Sequence, residues 1–338
     1  MQNSGLIPEA RRDAVHTALR ATFGASAVGD FQPIRGGVSG ALICRFDLHQ
    51  RAYVLRVEPE RIALHDRQRG FACMVAAAAA GVAPPVHYSD PMTGIAIMDF
   101  ISGRPLSEHP GGPLGLVRAL GALVSKVQAT PPFPIVGDYA TIIESMLAGL
   151  TRSSFFAPGQ LDPHREGFAR IWAAVVWETS SLVSCHNDPN PRNILFDGDR
   201  VWLIDWELAF RSDPLVDVAI LTTNLAETPE LEDALLKATF GLTPNGRLRA
   251  RLGIVRLLTR LFYGCVVLDS LVGTLLSAPD IGVAASSPAA FRTAVAEGRL
   301  ASGTPEVAYA FGMMSLTAFI DGLATPGFDE MLKLATQG

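Results

Sequence analysis

The chain has no uncharged apolar run of the roughly 18–20 residues that a membrane-spanning helix needs. Its nearest approach, Leu252 to Leu276, is broken by Arg256, Arg260 and Asp269 and reads as a buried amphipathic helix. Met1 to Ala14 lacks the apolar core of a signal peptide. These absences predict a cytoplasmic protein with no membrane partner. Cysteine is scarce, with four in 338 residues. Cys44, Cys73, Cys185 and Cys265 show neither metal spacing nor a disulfide pattern, so they read as reduced thiols, Cys185 as inert packing. Basic runs are missing too, and a formal net charge of −5 argues against a nucleic-acid partner. No internal repeat or heptad array is visible, which excludes solenoids and coiled coils.

Apolar material is plentiful: 49% of residues are hydrophobic and mean hydropathy is +0.26. That supports a large core, and 338 residues exceed one typical domain, suiting two lobes around a cleft. The chemistry is concentrated in His186-Asn187-Asp188-Pro189-Asn190-Pro191-Arg192-Asn193 and in Leu203-Ile204-Asp205-Trp206-Glu207. Between them, Ile194 to Phe196 reads as a strand, Asp197-Gly198-Asp199 as a turn and Val201 to Ile204 as the returning strand. Antiparallel pairing then sets Asn193 beside Asp205, two hard oxygen ligands suited to magnesium. Asp188 sits on a loop that two prolines keep from becoming helical, where it can accept a proton from a substrate hydroxyl. His186 reads as a brace for that loop. His-x-Asp-x-x-x-x-Asn alone would arise by chance in about one such chain in a hundred, and the Asp on a following strand makes coincidence rarer still.

These segments resemble the catalytic core of the aminoglycoside phosphotransferase and choline kinase superfamily, whose fold is protein-kinase-like. The Ile204-Asp205-Trp206-Glu207 wording leans towards choline, ethanolamine and thiamine kinase-like members. The resemblance implies an α+β, two-lobed fold, with a small antiparallel-sheet lobe over residues 1–101 and a helical lobe over 102–338. It implies Asp188 as catalytic base, Asn193 and Asp205 as magnesium ligands, and Asp217, within Asp213-Pro-Leu-Val-Asp-Val-Ala219, as support for the catalytic loop. ATP and Mg²⁺ are the implied cofactors, with GTP not excluded.

The first hundred residues offer the other half of such a site. Phe31–Ile34, Ala41–Phe46 and Arg51–Val57 read as strands, the last two around a turn at Asp47–Gln50. Gly36, Gly37, Ser39 and Gly40 form a flexible loop whose amides can approach phosphate. The resemblance places the nucleotide-covering loop there. Val54 and Arg56 share a sheet face, so Val54 would meet adenine and Arg56 the phosphates. Ile95–Phe100 reads as a strand, and Met98, Asp99, Phe100 and Ile101 stand where the fold's hinge binds the base, with Arg104 as a hinge-side structural residue. Glu60 to Ala80 reads as a helix. On this helix the family carries a Glu that pairs with the strand cation; the aligned residue here is Gly70. Either Asp66, one turn earlier, takes its place, or Arg56 is held by phosphate alone.

Further helices are expected near Leu114–Gln128, Tyr139–Leu150, His164–Glu178, Pro214–Leu225, Pro229–Thr239 and Gly246–Val272, with a soft, small-residue stretch at Ser277–Thr304. Choline kinases cage a quaternary ammonium with aromatic rings. Phe262, Tyr263 and Trp206 are candidates for substrate contact, although an aromatic pair on a helix is more often core. Glu207 is a candidate to orient substrate or support a second magnesium. The expected activity is transfer of a nucleotide γ-phosphate to a hydroxyl of a small metabolite such as choline or ethanolamine. An aminoglycoside O-phosphotransferase is the alternative enzyme, and Gly70 motivates a pseudokinase that binds nucleotide without transfer. The acceptor and the oligomeric state are not legible.

Overall fold

In the computed structural model, residues 6–24, 30–34, 40–59, 66–137, 139–272, 275, 278–279, 287–301 and 303–336 are described. Along the chain, helix α1 (Arg12–Phe23) precedes strands β1 (Gln32–Pro33), β2 (Leu42–Leu48) and β3 (Arg51–Val57). Helix α2 (Arg67–Ala79), strands β4 (Val86–Asp90) and β5 (Ile95–Asp99), and helices α3 (Gly112–Gln128), α4 (Tyr139–Thr151) and α5 (Asp162–Ala174) follow. Next come β6 (Val183–Cys185), β7 (Ile194–Phe196), β8 (Val201–Leu203) and β9 (Phe210–Ser212). Six helices follow among the described residues: α6 (Val216–Leu225), α7 (Pro229–Phe240), α8 (Gly246–Leu271), α9 (Pro288–Ala296), α10 (Pro305–Leu323) and α11 (Phe328–Thr336). They group into two compact units, residues 1–135 with 183–242, and residues 136–182 with 243–338.

The first unit is built on a five-stranded antiparallel sheet in the order β1-β2-β3-β5-β4. Alternation sorts its residues by face. Cys44, Phe46, Tyr53, Leu55, Val57, Ile95 and Ile97 are buried against Val15, Ala18 and Leu19 of α1, each large side chain contributing on the order of 1.5–3 kcal/mol. The opposite face carries Val54 and Arg56, with Ile43 and Met98 opposite them on the neighbouring strands. The β2–β3 turn is tighter than expected. Leu48 pairs with Arg51, and the two residues between, His49 and Gln50, both have positive φ, as a twisted two-residue hairpin requires. Helix α2 starts at Arg67, later than Glu60, because the Asp66 side chain accepts the Arg69 N–H and caps it. Glu60 itself lies outside the described residues.

The second unit packs α4, α5, α8, α10 and α11 around one apolar core. Helices α8 and α10 approach closely where glycines face leucines; a Cβ on Gly312 would meet Leu268 Cγ at 2.6 Å. The soft stretch contains α9, and the apolar run at 252–276 falls largely within the buried helix α8. No single helix among the described residues is long and apolar enough to cross a membrane.

Candidate active site

Strand β6 delivers the chain into the loop 186–193, which a buried carboxylate pins from beneath. Asp217, at the start of α6, is fully buried, and its two oxygens accept the backbone N–H groups of His186 (2.9 Å) and Asn187 (2.8 Å). Burial, with a smaller push from Asp188, raises its carboxyl to about 6 against the opposing pull of those two amides. The His186 ring is equally buried. Its Nε2 lies 2.9 Å from the Ile204 carbonyl and its Nδ1 accepts the Asp188 N–H at 3.2 Å, so the geometry calls for the neutral ring protonated on Nε2. Burial lowers its pKa to about 4 and keeps it neutral. Asn187 turns the chain with φ 63°, a left-handed conformation held by its carboxamide donating to Leu208 and Phe210 carbonyls.

That turn presents Asp188, whose carboxylate is held at both ends. Asn190 Nδ2 donates to Oδ1 at 2.8 Å and Asn193 Nδ2 to Oδ2 at 2.9 Å. Asn190 escaped the sequence reading because a polar loop residue beside two prolines carries no pattern of its own. Since Asn193 gives its NH₂ end to Asp188, its carbonyl end is the one left for a cation.

The β7–β8 hairpin has the expected register, with Ile194 opposite Leu203 and Ile204 N–H bonded to the Asn193 carbonyl at 3.0 Å. Asn193 and Asp205 therefore stand one step apart across the hairpin's open end. Asp205 has φ 67°, which turns the chain sharply out of β8; a left-handed non-glycine residue persists only where its surroundings enforce it. Its neighbour Trp206 is 3% exposed, with its ring against His186 and its indole N–H on the Leu203 carbonyl. Trp206 thus serves as packing under the loop, not as a substrate-facing ring.

Arg56 of β3 meets this segment. Its NH1 donates to Asp205 Oδ1 at 3.0 Å, NH2 to Glu207 Oε2 at 3.2 Å and Nε to Glu58 Oε1 at 3.1 Å. Burial disfavours its charge, but Asp205, Glu58 and Glu207 outweigh it and raise its pKa. Neither expectation for Arg56 matches: Asp66 is spent on capping α2, and the guanidinium is paired by carboxylates from the residues just after β3 and just after β8. Gly70 explains why α2 carries no acid there. A Cβ at 70 would lie in contact with the segment after β8, 3.4 Å from Glu207 Cα and 3.7 Å from the Trp206 carbonyl. Arg69 reinforces the contact, donating to the Glu207 carbonyl at 2.9 Å.

The remaining sequence candidates scatter. Gly36, Gly37 and Ser39 lie outside the described residues; Gly40 has φ 70° and open space around it. Val54 and Met98 are cross-strand partners on the Arg56 face. Asp99 turns its carboxylate to Arg51 and His87 and gives its N–H to Pro85, while Phe100 gives its N–H to Ala52 and lies under the Arg45 guanidinium. Ile101 follows, half-buried. Arg104 donates its N–H to the Phe196 carbonyl at 2.6 Å. In the second unit, Phe262 is 5% exposed within the core, and Tyr263 packs edge-on against Phe311. Phe262 is therefore core, as an apolar helix position in a bundle requires.

Among the described residues no three His, Cys, Asp or Glu side chains gather as a metal centre. Magnesium is commonly held by one or two carboxylates together with substrate phosphates. The donor set of Asp205 carboxylate and Asn193 carbonyl is hard and fits such an ion.

The pattern of the phosphotransferase enzyme family matches residues 30–252. Protein LicA of Haemophilus influenzae is 37% identical over 71 residues, 19% of this chain and 27% of that protein. The chain spans under a third of the length of the curated relatives it matches. Among solved structures, a choline/ethanolamine kinase family protein from Mesorhizobium loti superimposes with TM-score 0.68 at 23% identity, covering 97% of this chain and 100% of that one. Spectinomycin phosphotransferase APH(9)-Ia, solved with ADP and spectinomycin, gives TM-score 0.58 at 11% identity over 96% of this chain and 97% of that one. At such identities the likeness is one of fold, the α+β, protein-kinase-like fold expected from the motifs.

Proposed function

The chain belongs to the phosphotransferase enzyme family, and from that premise we propose that it is a small-molecule kinase moving the γ-phosphate of ATP to a hydroxyl of choline, ethanolamine or a related small alcohol. The observation that carries this reading is the carboxylate of Asp188, gripped at both oxygens by Asn190 and Asn193 on a loop pinned by Asp217. A base held so rigidly is pre-oriented towards one direction of approach. In this reading Asp188 accepts the proton of the acceptor hydroxyl as the hydroxyl oxygen bonds to the γ-phosphorus, and the bond from that phosphorus to the bridging oxygen breaks to release ADP. His186 stays neutral and ties the loop to the Ile204 carbonyl, just after β8. Arg56 offers a planar fork to the phosphate oxygens. Asn193 and Asp205 are the residues that would hold Mg²⁺, which when bound screens the charge developing on the phosphates.

Val54 and Met98 would flank the base. With the Asp99 and Phe100 N–H groups already used in the sheet, the edge of the base would meet backbone at Ile101. Guanine and adenine both fit such a readout, so GTP remains a candidate donor. The missing helix acid favours a pseudokinase, but three carboxylates from other segments hold Arg56 instead, which supports transfer. Among acceptors, choline and ethanolamine rest on the similarity to the Mesorhizobium loti protein and on the Ile-Asp-Trp-Glu wording, and an aminoglycoside rests on the similarity to the spectinomycin enzyme.

The test is phosphate transfer from Mg·ATP across choline, ethanolamine, thiamine, homoserine, sugars and aminoglycosides, with Asp188→Ala as the blank. Turnover with one acceptor is expected, reduced by about 10²–10⁴ or more in the variant, with ATP affinity nearly intact. Turnover in Asp188→Ala matching the unaltered protein would overturn the assignment.

A further inference from the structure

The Arg56 guanidinium has three nitrogens carrying five N–H donors, and each nitrogen donates to a different carboxylate. Nε, the nitrogen nearest the strand, goes to Glu58; NH1 and NH2, at the far end, go to Asp205 and Glu207. Glu58 stands two residues on from Arg56, just past the end of β3, and its carboxylate lies on the Arg56 side, 3.1 Å from Nε. It is 5% exposed, and its second oxygen accepts Nε of Arg67 at 3.2 Å, at the first residue of α2. Arg67 is itself anchored by donation to the carbonyls of Pro59, Pro91 and Met92. Glu58 is thus a buried carboxylate shared by two guanidinium groups, one fixed to the helix and one facing the metal segment.

We propose that Glu58 is the positioning residue for Arg56: by holding Nε from the strand side it turns both terminal nitrogens towards Asp205 and Glu207, where the phosphates of the nucleotide would lie. This rests on the phosphotransferase reading above. It explains how the chain manages with Gly70 on α2. The tie between strand cation and helix runs from Arg56 through Glu58 to Arg67, in place of a direct pair. It also accounts for an arginine at 56, since a lysine has no inner N–H for Glu58 to hold.

The test is a double-mutant cycle on ATP affinity, measured by calorimetry with the full chain, with magnesium and again in EDTA. Glutamine at 58 has one acceptor oxygen and one NH₂, and since the two Nε–H groups address different oxygens of Glu58, one of them would face the NH₂ donor. Glu58→Gln should weaken ATP binding about ten-fold, the worth of one charged hydrogen bond. Charge alone gives the opposite sign, because deleting a carboxylate beside the phosphate-binding cation would favour a polyanion. In an Arg56→Lys background the same substitution should change affinity less than about two-fold, since the bond it breaks is already gone. Arg67→Gln, which loosens only the outer anchor, should weaken ATP binding in the same direction but less, and circular dichroism checks that each variant is folded. Unchanged or tighter binding in folded Glu58→Gln, or equal weakening in both backgrounds, would overturn the proposal while leaving the kinase reading standing. If the unaltered protein binds no ATP, both fall.

Discussion

Replacing Asp217 by Asn and, separately, His186 by Gln should tilt the pH dependence of stability in opposite directions. His186 is fully buried and neutral, its pKa lowered from 6.5 to about 4. Below pH 6.5 the unfolded chain binds a proton that the folded chain refuses, so stability is lost on acidification until pH reaches about 4. At about 1.4 kcal/mol per pH unit this amounts to about 3 kcal/mol. Asp217 runs the other way. Burial raises its carboxyl from 3.8 to about 6, so between those values the folded chain binds the extra proton. Its contribution is present in acid and lost, again by about 3 kcal/mol, as pH rises through 6. The two windows overlap between pH 4 and 6, and there the slopes cancel. The assay is denaturant unfolding of the unaltered protein and the two variants at pH 7, 6, 5 and 4, taken as differences so that other groups drop out. The advantage of the unaltered protein over Asp217→Asn should grow by about 3 kcal/mol from pH 7 to 4, and its advantage over His186→Gln should shrink by a similar amount. Difference curves flat within about 0.5 kcal/mol, or slopes of the reverse sign, would refute the reasoning, because they would mean that neither burial shifts its group.

Three further outcomes are expected. Asp205→Ala should shrink the gain in ATP affinity that magnesium brings, and an unchanged ratio of affinities with and without magnesium would remove Asp205 from the metal site. Gly70→Ala should be tolerated, since its Cβ would sit at ordinary contact distance from Glu207, and should stabilise the helix by about 0.5–1 kcal/mol; Gly70→Leu should displace the Trp206–Glu207 segment and lower both melting temperature and ATP affinity. All four cysteines are buried, and burial raises their thiols, Cys73 and Cys265 to about 12 and Cys185 well above its usual range. Native protein at pH 7.5, a pH about one unit below an ordinary thiol's pKa, should therefore resist iodoacetamide, as mass spectrometry would show; rapid labelling of Cys185 would contradict the packing beneath the catalytic loop.

The parts of the site legible in the sequence are those that local geometry decides. A two-stranded hairpin with an Asp-Gly turn has only one sensible register, so Asn193 and Asp205 could be paired on paper. Two prolines exclude a helix around Asp188 whatever surrounds it. Alternation along β3 puts Val54 and Arg56 on one face without reference to any other strand. Helices α4, α5 and α8 of the second unit were equally legible, to within about four residues, because apolar periodicity and Gly or Pro boundaries act over one or two turns; α9, α10 and α11 were not read, α9 lying inside a stretch whose small residues suggested a loop. Strands β4, β6 and β9 were not, since each is short and owes its existence to a partner distant in the chain.

Packing decided the rest. Trp206 and Phe262 looked like substrate-facing rings because aromatic residues near a motif carry no mark of the side they face; burial made both of them core. The partner of Arg56 was illegible for a related reason. The carboxylates that hold it lie 2, 149 and 151 residues away, and the helix that should have supplied one presents a glycine where Glu207 passes close by. The sequence by itself determined which groups could do chemistry and their local order, since residue type and short-range stereochemistry are properties of the chain. Only the tertiary structure decided which carboxylate holds which guanidinium, because that depends on which segments of the chain come within about 3 Å of one another.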